Sequence, residues 1–361
     1  MLHFTQTKRT IKITALPALL LLLCVPTYAH AQEHAQTQDK TQTLEYNLQK
    51  QVKNHKDDKF ITLAVENDLF GGGTDRNYTN GIRLSYFDVN AAFPEFAHHI
   101  ANQVPTFSIN DTSSVFYSIG QNLYTPDDIK HREQQPDDRP WAAFLYSSIG
   151  MATVTDNHID ELEATIGIVG PLALGEQVQK AVHKHLSDSP TPKGWSNQLK
   201  NEPGLILSWQ RRWPQTVSYE TAGLTFSATP YIGASLGNIY TYANTGLNLR
   251  ISPAQWSDTP QRVRPSIPGT GYFETPENGW DWYVFGGVEG RAVAQNIFLD
   301  GNTFTDSHSV DKKIFVRDSN IGLAFTYGRT RLSYTLVHRT KAFKTQENAD
   351  LFGAVSVAYK F

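Results

Sequence analysis

The sequence predicts an all-β protein, a transmembrane antiparallel barrel of about twelve strands with a short helix at its extracellular rim. Three observations lead there. Apolar and polar residues alternate in about a dozen segments, most about eight to eleven residues long, with turn-rich stretches between them. Past residue 25 no apolar run is long enough for a membrane helix, and the mean hydropathy is −0.40. The last strand places Val355, Val357, Tyr359 and Phe361 on one face and Ala354, Ser356, Ala358 and Lys360 on the other. An apolar outer face over a small or polar inner face is what a lipid-embedded barrel needs. A soluble sandwich or propeller also shows many strands, and this alternation separates them.

Residues 1–31 read as a signal peptide. Lys8, Arg9 and Lys12 precede an apolar run from Leu16 to Val25, and Ala29-His30-Ala31 offers small residues for cleavage. Removing them takes three basic residues and no acidic one, so the formal charge of −3 falls by three, to −6. The single cysteine, Cys24, leaves with them. An exported chain without cysteine uses neither disulfides nor thiol chemistry, and its charge does not suit nucleic acid. Residues 32–57 form a polar periplasmic lead segment, and 58–361 the barrel with its loops.

The expected strands are 60–66, 80–87, 115–124, 141–151, 159–168, 204–212, 218–228, 231–241, 281–291, 313–317, 320–328, 330–339 and 352–361. An even strand number returns both termini to the periplasm. The connections 67–79, 125–140 and 169–203 then lie at the extracellular rim. By alternation Asp68 and Thr79 both take inward parity there. Hairpin-forming turn residues account for the same stretch in a blander way.

One rim connection carries a helix. From Leu174 to Leu186 apolar residues recur at helical spacing, and Gln179 and His183, four apart, share a face. Such a helix either plugs the barrel mouth or lies beside it. His183 is the acid–base candidate, since imidazole exchanges protons near neutrality. Gln179 can orient a water or an acyl carbonyl, and Asp68 can hold a divalent cation. With oxygen donors and no thiolate, Ca²⁺ is the natural choice. A G-x-S-x-G elbow is absent, so the α/β-hydrolase arrangement does not apply.

The chain resembles the lipid A 3'-O-deacylase (LpxR-like) family of outer-membrane enzymes. The resemblance rests on VENDLFGGGTDRNYTNGIRLSY (65–86), GQNLYTPDDI (120–129), DDRPWAAFLY (137–146), GIVGPLALGEQVQKAVH (167–183), KGWSNQLKNEPG (193–204) and RTKAFKTQ (339–346). It implies a twelve-stranded barrel that hydrolyses the 3'-linked acyloxyacyl ester of lipid A with Ca²⁺. It places the catalytic histidine at His183, its partner glutamine at Gln179, the Asn-Asp pair at Asn67 and Asp68, and a hydroxyl at Thr79. A further acid falls on Glu202, which also serves as a metal-ligand candidate, or less well on Asp188. Arg76, Arg83, Arg139 and Lys193 are candidates for the lipid A phosphates by location. The implied location is the bacterial outer membrane with the active site outward. Implied partners are lipopolysaccharide, outer-membrane lipids and, through the strand ending at Phe361, the barrel assembly machinery. An outer-membrane phospholipase A and a non-catalytic porin stand as alternatives.

Overall fold

The computed structural model describes residues 58–71, 77–91, 94–104, 106–155, 158–185, 189–254, 258–260, 262–276 and 279–361. The expected signal peptide and lead segment, Arg76 and Asp188 lie outside the described residues. The strands are β1 (Lys59–Asn67), β2 (Asn77–Asp88), β3 (Ser114–Thr125), β4 (Ala142–Thr155), β5 (His158–Val169), β6 (Glu202–Arg212) and β7 (Val217–Thr221). They continue as β8 (Leu224–Gly237), β9 (Tyr240–Ser252), β10 (Trp280–Asn296), β11 (Phe315–Tyr327), β12 (Thr330–Arg339) and β13 (Asp350–Lys360). The helices are α1 (Glu95–Gln103), α2 (Gly175–His185) and the single-turn α3 (Ile297–Asp300).

Every neighbouring pair is antiparallel. β1 pairs with β13, and β6 pairs with β8, so twelve strands close into a ring. Closure leaves no unpaired edge in the apolar layer, which lipid would not tolerate. The thirteenth strand, β7, follows β6 across a break containing Pro214 and pairs with the first half of β8. The expected strand 218–228 is therefore a hairpin, whose turn residues Ala222 and Gly223 have φ of 51° and 76°. The segments 313–317 and 320–328 merge into β11, and 231–241 spans the turn between β8 and β9. β9 is missing from the sequence reading because Thr241, Ala243 and Thr245 give its outer face little apolar contrast.

The outer face is apolar by alternation. Ile61, Leu63, Ile82, Leu84, Ile119, Ile166, Leu249, Leu323 and Val357 are all exposed. Such a continuous belt marks a lipid contact. Tyr86, Tyr359 and Phe361 gather in one aromatic cluster, and Trp280 meets Phe325 nearby in the ring order. These lie at the rim where β1 begins and β13 ends, and where Lys59 and Phe361 exchange backbone hydrogen bonds. On the outer wall α1, which the periodicity does not announce, buries Ala101 in a cluster with Phe107, Met151 and Leu162.

The lumen is filled. The connection between β9 and β10 turns back into the ring. Its Arg262 pairs with Glu66 of β1 at 2.6 Å, and its Arg264 with Glu289 of β10 at 2.8 Å. The Val263 carbonyl accepts from Tyr146 of β4, and the Ser266 carbonyl from Tyr242 of β9. Asp258 pairs with Arg331 of β12. Near the terminal rim Phe273 packs with Phe60, Phe87 and Phe116. Toward the opposite rim an aromatic cluster of Tyr124, Phe144, Tyr146, Tyr240 and Phe298 closes the ring from within. Phe298 belongs to α3 and stacks on Tyr124 with ring centres 3.9 Å apart.

Candidate active site on the outer wall

The site is built at the rim opposite the one where β1 begins and β13 ends. β1 ends there in Asn67, whose side-chain Oδ1 accepts from the Leu69 amide and starts a 3-10 turn over Asp68–Phe70. Asn67 aligns with Asn80 of β2, and Asn80 aligns with Leu123 of β3. These three positions form one rung on the lipid-facing side of the wall. Asn67 and Leu123, two strands apart, are separated by about 10 Å.

Helix α2 lies against that same outer wall. A Cβ on Gly175 would sit 2.5 Å from Ala143 Cβ and 2.7 Å from Leu123 Cδ2, so only glycine lets the helix approach this closely. Gln121 of β3, in the outward column of Tyr117 and Ile119, donates to the Ala173 carbonyl at 2.5 Å and fastens the segment entering the helix. The buried face of α2 is Gly175, Gln179 and His183, each four residues from the next. Of the two placements open to this helix, beside the mouth rather than in it is the one observed.

His183 is 8% exposed, and its Nδ1 lies 2.7 Å from the Pro190 carbonyl. A carbonyl only accepts, so Nδ1 carries a proton, and in the neutral imidazole the lone pair is then on Nε2. Gln179 is 2% exposed, and its Oε1 accepts from Trp195 Nε1 at 2.7 Å. Trp195 and Trp141 pack with ring centres 5.1 Å apart, joined by Leu123, Ile129 and Ala143.

Asp68, 3% exposed, lines a crevice of about 690 Å³ with Asp127, Asp128, Asp138, Glu347 and Asp350. Burial pushes the Asp138 carboxyl up, against hydrogen bonds from the Asp127 and Arg139 amides. The loop carrying Asp127 and Asp128 also seats the segment after α2. The Ile129 carbonyl accepts from the Lys193 amide at 2.9 Å, and the Arg132 carbonyl from Asn197 at 2.6 Å. One loop thus joins the Asp68 crevice to the His183 helix.

The remaining sequence candidates fall in different places. Thr79 is the extra residue of a bulge in β2, because pairing skips from Tyr78–Tyr124 to Asn80–Leu123. Alternation counted from Arg83 therefore no longer fixes its direction, and its side chain lies outside the described residues. Lys193 is exposed on the loop after α2. Arg139 is buried inside the rim with its guanidinium 5.0 Å from the Tyr124 ring centre, and burial pushes its pKa down.

Two candidates need correction. Arg83 is not at the rim. It is fully buried in the lumen, and its Nη2 donates to both carboxylate oxygens of Glu163 at 2.9 Å. Inward parity placed it correctly, but its mid-strand height removes it from any rim phosphate. Glu202 holds loops together. Its carboxylate accepts from Asn238 and Asn302 side chains and from the Thr303 and Phe304 amides, which occupies it on the inner side of β6.

Reading the sequence residue by residue missed Gln121, Asn80 and Trp195. The first two had a usable signal, an amide in a column that otherwise faces lipid. Trp195 had none, because only the fold brings it to Gln179.

The ring, its apolar belt and its aromatic rim define an outer-membrane β-barrel carrying a polar helix on its lipid-facing wall. The chain belongs to the family of outer membrane protein LpxR, whose sequence profile matches residues 16–361. Among solved structures, LpxR from Salmonella typhimurium is 22% identical over 83% of this chain and 99% of that one, with a TM-score of 0.67. The β domain of the Bordetella autotransporter BrkA is 8% identical over 84% of this chain and 98% of its own, with a TM-score of 0.39. The KdgM porin is 7% identical over 84% and 99%, with a TM-score of 0.34. No curated protein matches the sequence.

Proposed function

We propose that this outer-membrane barrel is a lipid A deacylase that hydrolyses the 3'-linked acyloxyacyl ester in the outer leaflet, with the α2-bearing rim facing outward. The observation that carries the reading is the place of the Gln179–His183 face. It is seated on the lipid-facing wall, beside the membrane in which such a substrate resides. Family membership supports the same reading. A filled lumen supports an enzyme over a porin.

In the proposed reaction His183 Nε2 takes a proton from water while Nδ1 stays on the Pro190 carbonyl. The resulting hydroxide adds to the ester carbonyl carbon. The tetrahedral species collapses, the carbon–oxygen bond to the sugar breaks, and His183 returns the proton to the 3' oxygen. The products are a free acid and a sugar hydroxyl. We assign the attack to water directly, with no serine nucleophile in the proposed reaction. Lys193, exposed on the loop after α2, is the cation we assign to a phosphate of the substrate.

The donors near Asp68 suit Ca²⁺. Asp68 offers a carboxylate buried in a crevice lined mostly by acids and amides, hard oxygen donors of the kind this ion takes. Among the described residues no three His, Cys, Asp or Glu side chains converge, so carbonyl and substrate oxygens would complete the shell around Asp68 and Asn67. When bound, the ion supplies positive charge to the carbonyl oxygen under attack.

Mass spectrometry of lipid A from cells with and without the protein, at replete Ca²⁺ and with a chelator, tests the reading. Loss of the 3' acyloxyacyl mass that chelation prevents is expected. Unaltered lipid A in replete cells refutes it, and lysophospholipid instead would favour a phospholipase.

A further inference from the structure

We propose that Trp195 is a positioning residue that locks the Gln179 amide with its NH2 group turned outward from the indole, making Gln179 a hydrogen-bond donor to the ester carbonyl oxygen. The inference deepens the deacylase reading and rests on it. An indole N–H only donates, so the atom of Gln179 facing Trp195 at 2.7 Å must be the amide oxygen. That leaves Nε2, with two hydrogens, on the helix face shared with His183. Nε2 is buried and has no hydrogen-bond partner among the described residues. Burying such a donor unmatched is costly, and a glutamine kept only for packing has no reason to bear that cost. An acyl oxygen gaining negative charge is an acceptor of the right kind.

Trp195 is itself immobilised. It is 1% exposed, lies against Trp141, and touches the Gly175 position so closely that a Cβ there would come within 2.7 Å of its Cη2. The indole therefore cannot follow a rotating amide. The alternative role, Gln179 as acceptor for the attacking water, would have to use the second lone pair of an oxygen already held by the indole, and would leave the buried Nε2 without a partner among the described residues.

The test uses full-length protein in detergent, lipid A as substrate, and the variants Trp195→Phe, Gln179→Glu, Gln179→Ala and Trp195→Phe/Gln179→Ala. Heat-dependent gel migration confirms that each barrel is folded. Gln179→Glu keeps an acceptor for the indole but loses the donor, and should fall with Gln179→Ala by on the order of 100-fold in kcat. Trp195→Phe should lower kcat by about tenfold with KM within about twofold, and should add nothing in the Gln179→Ala background. Full activity of Gln179→Glu, unchanged kcat in Trp195→Phe, or the same loss from Trp195→Phe in both backgrounds would each overturn the proposal.

Indole exchange reads the hydrogen bond without turnover. With ¹⁵N-tryptophan labelling, the Trp195 N–H should exchange slowly in the parent and quickly in Gln179→Ala. Equal exchange rates would overturn the inference even in an active enzyme. If the parent released no acyl product while the indole behaved as expected, the deacylase reading would fail and the orientation of the amide would stand.

Discussion

At the scale of single residues, His183 and Arg83 show how location decides what a buried polar group does. Both are buried polar groups, yet one sits on a helix beside lipid and the other in the lumen. Replacing His183 with Ala should cut acyl release by roughly 10²–10⁴-fold while the barrel stays folded, as assayed by product formation and gel migration. Near-normal release would remove it from the chemistry. Replacing Arg83 with Met strands the Glu163 carboxylate away from water. That should lower unfolding stability by roughly 3–5 kcal/mol, whereas changing both partners to apolar residues should cost less. Urea titration of the folded band measures both, and equal losses would contradict the pairing described here. The buried pair was half legible in the sequence. Alternation gave the direction of Arg83, but nothing local announces that Glu163, three strands away, is its partner.

At the scale of elements, the docking of α2 is the step on which the site depends. Gly175 is the contact that permits it, and Gln121 the hydrogen bond that fastens it. Replacing Gly175 with Leu should push the helix off the wall and reduce acyl release on the order of 100-fold, because small misplacements of reacting groups are expensive. The same variant should keep its barrel, since no strand pair involves that residue. Retained activity would show that the helix acts without close contact. Helical spacing alone identified α2 and the shared face of Gln179 and His183. Its position outside the wall was not legible, because a 3.6-residue period states which face is buried and not against what. The bulge at Thr79 was hidden for a related reason. Alternation presumes an unbroken ladder, and one extra residue resets it. β9 escaped because small residues on its outer face muted the contrast by which the other strands were found.

At the scale of the whole molecule, the barrel is a packed body with a lipid-facing coat. Single-channel recording in planar bilayers should show no steady conductance from the intact protein. Deleting residues 262–267, which bridge the lumen, should produce conducting events, and a conducting parent would refute the plugged interior. An epitope inserted at Gln135, in the loop beside the Asp68 crevice, should be cleaved by protease added to intact cells if that rim faces outward; protection would reverse the proposed orientation. Ring closure, strand direction and the lipid coat were all legible from alternation and turn spacing. The filling was not, because the β9–β10 connection reads as an ordinary polar loop until the charges on the surrounding strands find it. The connection enters from the rim where β1 begins and β13 ends, and its own Phe273 packs there on Phe60, Phe87 and Phe116, so the stopper and the lid of that end are one continuous piece of chain.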